Sequence, residues 1–367
     1  MKNGLCIGCW VLGAGCWVLG AGCWVLANSR VSGGQLYDFQ SLLWVELVQN
    51  TGLPVAVIMK INSCSFSWLQ TQGREVLAYL WRSGVDHLFP RRCMGCRGFI
   101  PPEAVEPATQ EDTPWISMGA LPRDAMFQTH ATGMDPGFLQ EQFHILFSPF
   151  FCLECRAQGV VPLDPPRCTR CAGTLVAVKP SGFACSHCAT SLTDIGRVRA
   201  VGAYGQALLN AIHLLKYNGK IALSRPLGHL LFMAFCTHFA GSPMDKIIPI
   251  PLHRSRLVKR GFNQAFLLVR DFEKKWQQLN GTRPPWQVDH RLLKRCRKTA
   301  SQTGFNREAR RENLKNAFQV TSPRRVKGNA ILLVDDVYTT GSTCQEASRV
   351  LRRSGAASVD VLVLARA

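Results

Sequence analysis

The sequence predicts an α/β fold in which a parallel sheet has flanking helices, preceded by a Cys-rich module. Three observations predict it. Apolar strand candidates alternate with amphipathic helix candidates between residues 197 and 367. One strand candidate leads directly into a turn of small polar residues and then a helix, at 331–353. Four Cys-x-x-Cys pairs precede the first strand of this region. Alternating strands and helices are typical of parallel sheets that are covered on both faces.

Residues 1–58 form a repetitive apolar extension. The segment Gly8–Ala14 recurs unchanged as Gly15–Ala21, and no charged residue occurs in 5–27. An uncharged run of this length could span a membrane, but its many glycines disfavour a helix. We therefore favour a mis-assigned translation start, with Met59 as a plausible real start, over a membrane anchor. We expect no stable membrane association.

The Cys-x-x-Cys pairs predict structural zinc. Two thiolates three residues apart on a turn can bind one ion, and two such pairs complete a tetrahedral four-sulfur shell. The sequence leaves open which pairs share an ion. The compact choice joins the third pair to the fourth and leaves the first with the second. We expect one or two zinc ions in a module over 74–196, with a loop insertion at 98–150. The pairs are Cys93/Cys96, Cys152/Cys155, Cys168/Cys171 and Cys185/Cys188.

The region after the cysteines is predicted to begin with a strand at Ala200–Tyr204 and an amphipathic helix at Gln206–Lys216. A mostly apolar helix at Pro226–Phe239 and a buried strand at Lys246–Pro251 follow. No residue pattern in 190–240 indicates recognition of a particular base, so the sequence does not identify an acceptor.

A basic loop is predicted after that strand, at 252–264. Ligands bind at the carboxyl ends of strands in open parallel sheets, and guanidinium groups match phosphate oxygens in pairs. We therefore predict that its four cations bind pyrophosphate, the alternative being a solvated basic loop. These cations are Arg254, Arg256, Lys259 and Arg260.

Positive charge is concentrated in one segment. The chain has a formal net charge of +19, and residues 251–327 carry 20 Lys/Arg against 5 Asp/Glu, a net +15. Such a segment suits a polyanion, either a pyrophosphate or a nucleic acid. Its interleaved aromatics could stack on single-stranded DNA, although we favour core packing for two of them, Phe262 and Phe305. The other two are Trp276 and Trp286. Residues 292–307 are polar and basic, which predicts a mobile lid.

The segment around which the α/β region is organised is 331–353. Ile331–Val334 is predicted to be a buried strand that ends at Asp335 and Asp336, and Cys344–Arg353 a helix. A turn of small and hydroxyl residues before a helix N-terminus favours a bound phosphate. Paired carboxylates beside it suit ribose hydroxyls or a metal held near them. The P-loop pattern is absent from the sequence.

Several of these segments together resemble the ComF family over about residues 74–367. The resemblance is carried by Pro249–His253, Arg260–Gln264, Lys298–Gln302 and Val334–Thr343, and by the four Cys-x-x-Cys pairs. It implies a type I phosphoribosyltransferase fold with a small hood at 197–367, and a cytoplasmic protein. It also implies a role in natural competence and the handling of single-stranded DNA.

The resemblance implies roles for individual residues. Asp335 and Asp336 would bind the ribose hydroxyls of phosphoribosyl pyrophosphate (PRPP) with Mg²⁺, and the turn would bind its 5′-phosphate. The turn residues are Thr339, Thr340, Gly341, Ser342 and Thr343. No catalytic residue is identified. DNA-uptake and helicase proteins are further expected partners, and a homodimer is left open.

Three functional alternatives follow from the resemblance. The chain would bind PRPP in DNA handling and act as a glycosyltransferase on an unidentified acceptor. It would otherwise be a nucleobase-salvage phosphoribosyltransferase, or a DNA-binding protein that senses PRPP without catalysis.

Overall fold

The structure is a computed structural model that describes residues 42–48, 54–60, 91–101, 104–105, 135–163, 166–175, 184–190, 194–298 and 312–367. The chain divides into two units, residues 1–88 and 89–367. In the first unit, β1 (Leu42–Val48) pairs antiparallel with β2 (Pro54–Lys60). The predicted alternative, a membrane anchor at 5–27, lies outside the described residues. No helix in the described part of the chain is long and apolar enough to cross a membrane.

The second unit begins with a Cys-rich part that contains three helices. These are α1 (Pro136–Phe147), α2 (Leu153–Ala157) and α3 (Ser186–Thr190). The side chain of Asp135 caps α1 by accepting a hydrogen bond from the N–H of Phe138, at 2.7 Å.

The C-terminal part of the insertion at 98–150, predicted to be a loop, contains helix α1. Leu139, Phe143 and Phe147 recur every four residues and are all buried. That spacing places them on one face of a helix, so this part of the insertion contributes to the core. The middle of the insertion, 106–134, lies outside the described residues.

The sheet of the second unit has five strands in the order β3-β9-β8-β4-β5, and all neighbouring pairs are parallel. The parallel sheet predicted from the sequence is confirmed. The strands are β3 (Val198–Ala203), β4 (Lys246–Pro249), β5 (Gln287–Val288), β8 (Ala330–Tyr338) and β9 (Ser358–Arg366).

Helices and a small hairpin cover the two faces of this sheet, as the fold class predicts. The helices are α4 (Gln206–Tyr217), α5 (Ser224–Phe239), α6 (Arg254–Arg260), α7 (Gln264–Val269), α8 (Phe272–Asn280) and α9 (Ser342–Arg353). The antiparallel hairpin consists of β6 (Leu293–Arg295) and β7 (Phe318–Val320). It includes the start of the predicted lid, of which 299–307 lie outside the described residues.

Strand β8 separates two hydrophobic cores. Leu332 and Val334 pack with α4 and α5, whereas Ile331 and Leu333 pack with α9 and the hairpin. Successive side chains of a strand point to opposite faces, which explains this division. The first core also contains Phe143 of α1. Side chains from both sides of residue 196 thus share one core. This core does not mark the domain boundary predicted at 196/197, which stays a prediction.

The Cys-rich part also covers β3, which lies at the edge of the sheet. The N–H of Ala203 donates to the carbonyl of Val161 at 2.8 Å, and the N–H of Val198 donates to that of Arg170 at 2.6 Å. Backbone groups at this edge are thereby paired within the chain.

Candidate phosphate site and cysteine clusters

Asp335 and Asp336 lie inside β8, which does not end at them as predicted, because pairing with β9 continues to Tyr338. Asp336 is buried, and its Oδ1 lies 2.8 Å from Nζ of Lys216 at the end of α4. Its Oδ2 is buried and has no hydrogen-bond partner. Burial lowers the pKa of Lys216, but the attraction of Asp336 outweighs it and raises the pKa overall. The site therefore contains its own largely buried cation.

Asp335 points to the other face of the sheet and is half-buried. Burial, and then repulsion by Asp336, raise its pKa to about 7. Arg295 of β6 exerts a weaker opposing effect on this carboxyl. Burial, followed by repulsion from Arg256, lowers the pKa of Arg295 to about 10. Arg295 is thus attracted by Asp335 of β8 and repelled by Arg256 of α6.

The phosphate turn, 339–343, joins β8 to α9. Gly341 adopts a φ of +76° as the N-cap of the helix. Glycine is needed there for two reasons, because left-handed backbone disfavours a side chain and because a Cβ would overlap the ring of Tyr338. The hydroxyl oxygens of Thr340 and Ser342 lie 2.9 Å apart. The turn thus brings hydroxyl groups to a helix N-terminus, where anions are stabilised.

The predicted basic loop is largely helical, which corrects the loop prediction. Residues 254–260 form α6, capped by the side chain of His253 at its start and by Gly261, with a φ of +83°, at its end. Arg256 and Arg260 are half-buried one turn apart, whereas Arg254 and Lys259 are exposed. The structure therefore divides the four predicted pyrophosphate ligands into an inner and an outer pair.

Two residues of this site, Lys216 and Arg295, were not predicted from the sequence. Lys216 follows Ile212 by four residues and so borders the buried stripe of α4, which is the one available signal. Arg295 belongs to the segment predicted as a lid, and nothing in its local sequence indicates burial. Both are brought to β8 by tertiary contacts.

The eight cysteines of the Cys-x-x-Cys pairs form two clusters in the structure. Within each cluster the Sγ atoms all lie within 4.8 Å of one another. The pairing is the one that compact spacing favoured. Cluster 1 is Cys93, Cys96, Cys152 and Cys155; cluster 2 is Cys168, Cys171, Cys185 and Cys188.

The donor sets fit tetrahedral zinc. Zn–S bonds of about 2.3 Å in a tetrahedron place sulfurs about 3.8 Å apart. The Sγ atoms of Cys96 and Cys152 are 3.6 Å apart, and those of Cys171 and Cys185 are 3.8 Å apart. Four closed thiolates leave no open position for catalysis, so either cluster could hold a structural ion.

Backbone N–H groups lower the pKa of one thiol in each cluster and so favour the thiolate form. Although burial raises the pKa of Cys93, N–H groups around its sulfur lower it to about 7. The same balance lowers the pKa of Cys168 to about 7, where the N–H of Cys185 donates to Sγ at 3.2 Å. Thiolates are the form that binds zinc.

One arginine connects cluster 2 to the phosphate turn. The Nε of Arg366 donates to the carbonyl of Cys171 at 3.1 Å, and its Nη1 donates to the carbonyls of Tyr338 and Thr339 at 3.2 and 3.1 Å. The guanidinium also lies 5.2 Å from the centre of the Tyr338 ring.

The aromatics predicted to stack on DNA are largely in the core. Trp286 is 4% exposed and lies against Phe235, with ring centroids 5.2 Å apart. Trp276 packs on both rings. The burial of Trp286 contradicts the stacking role predicted for it, whereas Trp276 is half-buried and its predicted role stays a prediction. Phe262 packs against the core as expected, and Phe305 lies outside the described residues.

An exposed aromatic group borders the site instead. Tyr217, next to Lys216, is 72% exposed, and the guanidinium of Arg260 lies 5.6 Å from its ring centre. His213 packs edge-on against it with centroids 5.6 Å apart, and accepts or donates a hydrogen bond with Tyr204 at 3.3 Å. We call Tyr204, His213, Tyr217 and Arg260 the tyrosine rim.

Comparison with curated proteins finds several similar chains. "Competence protein F" of Haemophilus influenzae is 31% identical over 240 residues, covering 60% of this chain and 99% of that protein. "DNA utilization protein YhgH" of Escherichia coli O157:H7 is 34% identical over 206 residues, covering 55% of this chain and 85% of that protein. "Competence protein ComFC" of Bacillus subtilis is 28% identical over 172 residues, covering 46% and 63%. No family model matches the chain.

Among solved structures, a glutamine PRPP amidotransferase from B. subtilis, complexed with ADP and GMP, is similar at a TM-score of 0.23. It is 16% identical and covers 38% of this chain and 25% of that one.

Proposed function

This chain belongs to the ComF family, and from that premise we propose that it binds PRPP at the end of β8 and acts in the uptake and handling of DNA. The names of its relatives support the second part, since they are competence and DNA utilization proteins. PRPP binding is supported by the site itself. An acidic pair near the carboxyl end of β8 leads into a hydroxyl-rich turn at a helix N-terminus. Arg295 is electrostatically coupled to Asp335 of this pair and to the half-buried Arg256 of α6.

The observation that carries PRPP binding is the buried, unpartnered Oδ2 of Asp336. An unsatisfied buried acceptor costs about 1–3 kcal/mol, and a charged one more. A ribose hydroxyl donating to this oxygen would remove the cost. Asp335 offers the carboxylate oxygens that Mg²⁺ prefers. The residues present therefore fit a sugar phosphate accompanied by Mg²⁺, which would supply positive charge beside the phosphates.

Calorimetric titration of the full chain with PRPP and Mg²⁺ tests this proposal. We expect binding by the wild type and its loss in Asp335→Asn/Asp336→Asn. Asp360→Asn is the matched control, because Asp360 lies on β9 beside Leu332, away from the turn, and pairs with Arg197. Absence of binding by the wild type at millimolar PRPP would refute the proposal, as would equal affinity in the double variant.

Transfer of the phosphoribosyl group is a second candidate function, which the cations of α6 favour. In that reaction the bond from C1 of the ribose to pyrophosphate breaks, a bond from C1 to the acceptor forms, and the acceptor loses a proton. Arg256 and Arg260 would stabilise the charge gained by the departing pyrophosphate. Release of pyrophosphate from labelled PRPP in the presence of a nucleobase panel tests transfer.

We further propose that single-stranded DNA contacts the tyrosine rim and not the buried Trp286. Exposed aromatic rings bind bases by stacking, and nearby arginines attract the phosphate backbone. The rim residues meet both needs, since Tyr217 is the most exposed of them and lies against Arg260. Arg260 belongs to the 251–327 segment, which carries +15 of the net charge of +19.

Affinity for a single-stranded oligonucleotide, measured against salt concentration, tests the rim. Loss of stacking in Tyr217→Ala should weaken binding by about 1–3 kcal/mol at every salt concentration. Tyr217→Phe, which keeps the ring, should bind as the wild type does. An alanine variant that binds as tightly as the phenylalanine variant would remove the rim from the DNA surface.

A further inference from the structure

We propose that Arg366 is a positioning residue that ties the backbone of cluster 2 to the phosphate turn, so that metal loading of cluster 2 sets the geometry in which the turn binds phosphate. The inference deepens the proposed function and rests on it for the ligand. In this proposal cluster 2 is coupled to the phosphate turn, whereas cluster 1 stabilises the packing of α1.

The contacts of Arg366 carry the argument. One planar guanidinium accepts no hydrogen bond and donates to three carbonyls, that of Cys171 on one side and those of Tyr338 and Thr339 on the other. Cys171 supplies a sulfur to cluster 2, and Thr339 is the first residue of the turn. A metal that fixes the sulfur of Cys171 therefore also restrains the carbonyl group of the same residue, whose carbon is three bonds from that sulfur. Arg366 transmits the position of this carbonyl to the turn.

The ring of Tyr338 extends the connection to Gly341. The ring is buried and packs against the Arg366 guanidinium. Its hydroxyl lies so close to Gly341 that a Cβ at that glycine would overlap it. The position of this ring thus limits where the middle of the turn can lie. Sub-ångström changes in a turn of this kind change how well its donors meet a phosphate.

Cluster 1 has different surroundings. Cys93 lies in the core that contains α1 and α5, and the N–H of Met94 donates to the carbonyl of Phe150. Tyr338 lies in the opposite core, with α9. Cluster 1 therefore stabilises the packing of α1, and its loss should act on the turn less than the loss of cluster 2.

Without metal, cluster 2 would hold four thiol groups, and no bond would fix the sulfur of Cys171. The Cys171 backbone could then move, and Arg366 would lose one of its three acceptors. Lysine cannot replace this arginine, because an ammonium group has no planar fork with which to bridge separate carbonyls.

Variants of Arg366 in the full chain provide the first test. We expect Arg366→Lys and Arg366→Ala to keep the zinc content of the wild type and to bind PRPP at least about fivefold more weakly, the lower range of site-to-site coupling. The control is Arg199→Ala, because Arg199 donates to the carbonyl of Thr169 beside cluster 2 and to Val198. If Arg366→Ala does not fold, Arg366→Lys carries the test. Unchanged affinity with full zinc content overturns the proposal.

Hydrogen exchange of the turn amides provides a second test that does not depend on PRPP. We expect Cys171→Ser to speed exchange at 339–343 more than Cys96→Ser, which removes a sulfur from cluster 1. Equal effects of the two substitutions, or no effect of Cys171→Ser, overturn the coupling. Failure of the wild type to bind PRPP, with this difference in exchange intact, removes the proposed function and leaves the coupling in place.

Discussion

The ion pair between Lys216 and Asp336 places two charges inside the protein, with side chains that are 16% and 6% exposed. Taking charges out of water is costly, and the attraction between them offsets that cost only while both are present. The pair is thus a weak source of net stability, but removal of one partner leaves the other charge buried alone.

Replacement of Lys216 by methionine should therefore destabilise the protein strongly. We expect a loss of about 3–5 kcal/mol in the free energy of unfolding, measured in denaturant, because Asp336 loses its partner. The double variant Lys216→Met/Asp336→Asn should recover much of that loss. Lys220→Met is the control, since Lys220 is exposed. A cost at Lys216 no larger than at Lys220 would contradict the prediction.

Asp335 should make stability depend on pH in the opposite direction from an ordinary carboxylate. Its pKa is about 7 in the folded protein and about 4 in an unfolded chain. Between these values the folded state holds the extra proton, so the contribution of Asp335 to stability falls as pH rises from about 4 to 7.

Unfolding measured from pH 4 to 8 checks this. Asp335→Asn should remove the downward slope, whereas Asp360→Asn should retain it. An identical pH profile in the wild type and Asp335→Asn would show that this carboxyl titrates normally.

At the scale of elements, the strands and helices around β8 were largely predictable. Continuous apolar runs gave β4 and β8, and the spacing of apolar residues gave α4, α5 and α9. Helix α6 was missed because its seven residues are mostly basic and have no buried side chain. Lys216 and Arg295 were missed because their roles come from contacts with β8, which local sequence does not encode.

The phosphate turn depends on glycine at 341. Gly341→Ala should lower PRPP affinity markedly and destabilise the protein, because an alanine there must adopt left-handed backbone and displace the Tyr338 ring. Gly219→Ala separates these causes. Gly219 has a φ of +65° but open space around it, so only the backbone cost of about 1–2 kcal/mol applies. Calorimetry and thermal unfolding of both variants check the difference.

Both cysteine clusters are connected to the five-stranded sheet or to the cores that cover it. Cluster 1 adjoins the α1 core, and cluster 2 adjoins β9 through Arg366. The cysteine spacing predicted the pairs, and compactness favoured the pairing. The shared core and the link through Arg366 could not be predicted, because they join residues far apart in the chain.

Purified full-length protein should contain two zinc ions per chain, measured by elemental analysis. Cys96→Ser and Cys168→Ser should each reduce the content by one, because each removes a ligand from a different four-sulfur shell. Chelation should lower the melting temperature, since metal binding to the folded state stabilises it. One ion or none in the wild type would contradict the expectation.

Strand β3 is covered by the chain that precedes it, because its backbone N–H groups donate to the carbonyls of Val161 and Arg170. This has a practical consequence for dissection by truncation. A fragment that starts at residue 197 would present an open strand, ready to pair with the same strand of another molecule. We expect such fragments to self-associate and precipitate during purification. Single substitutions in the full chain are therefore the sounder way to separate what its parts contribute.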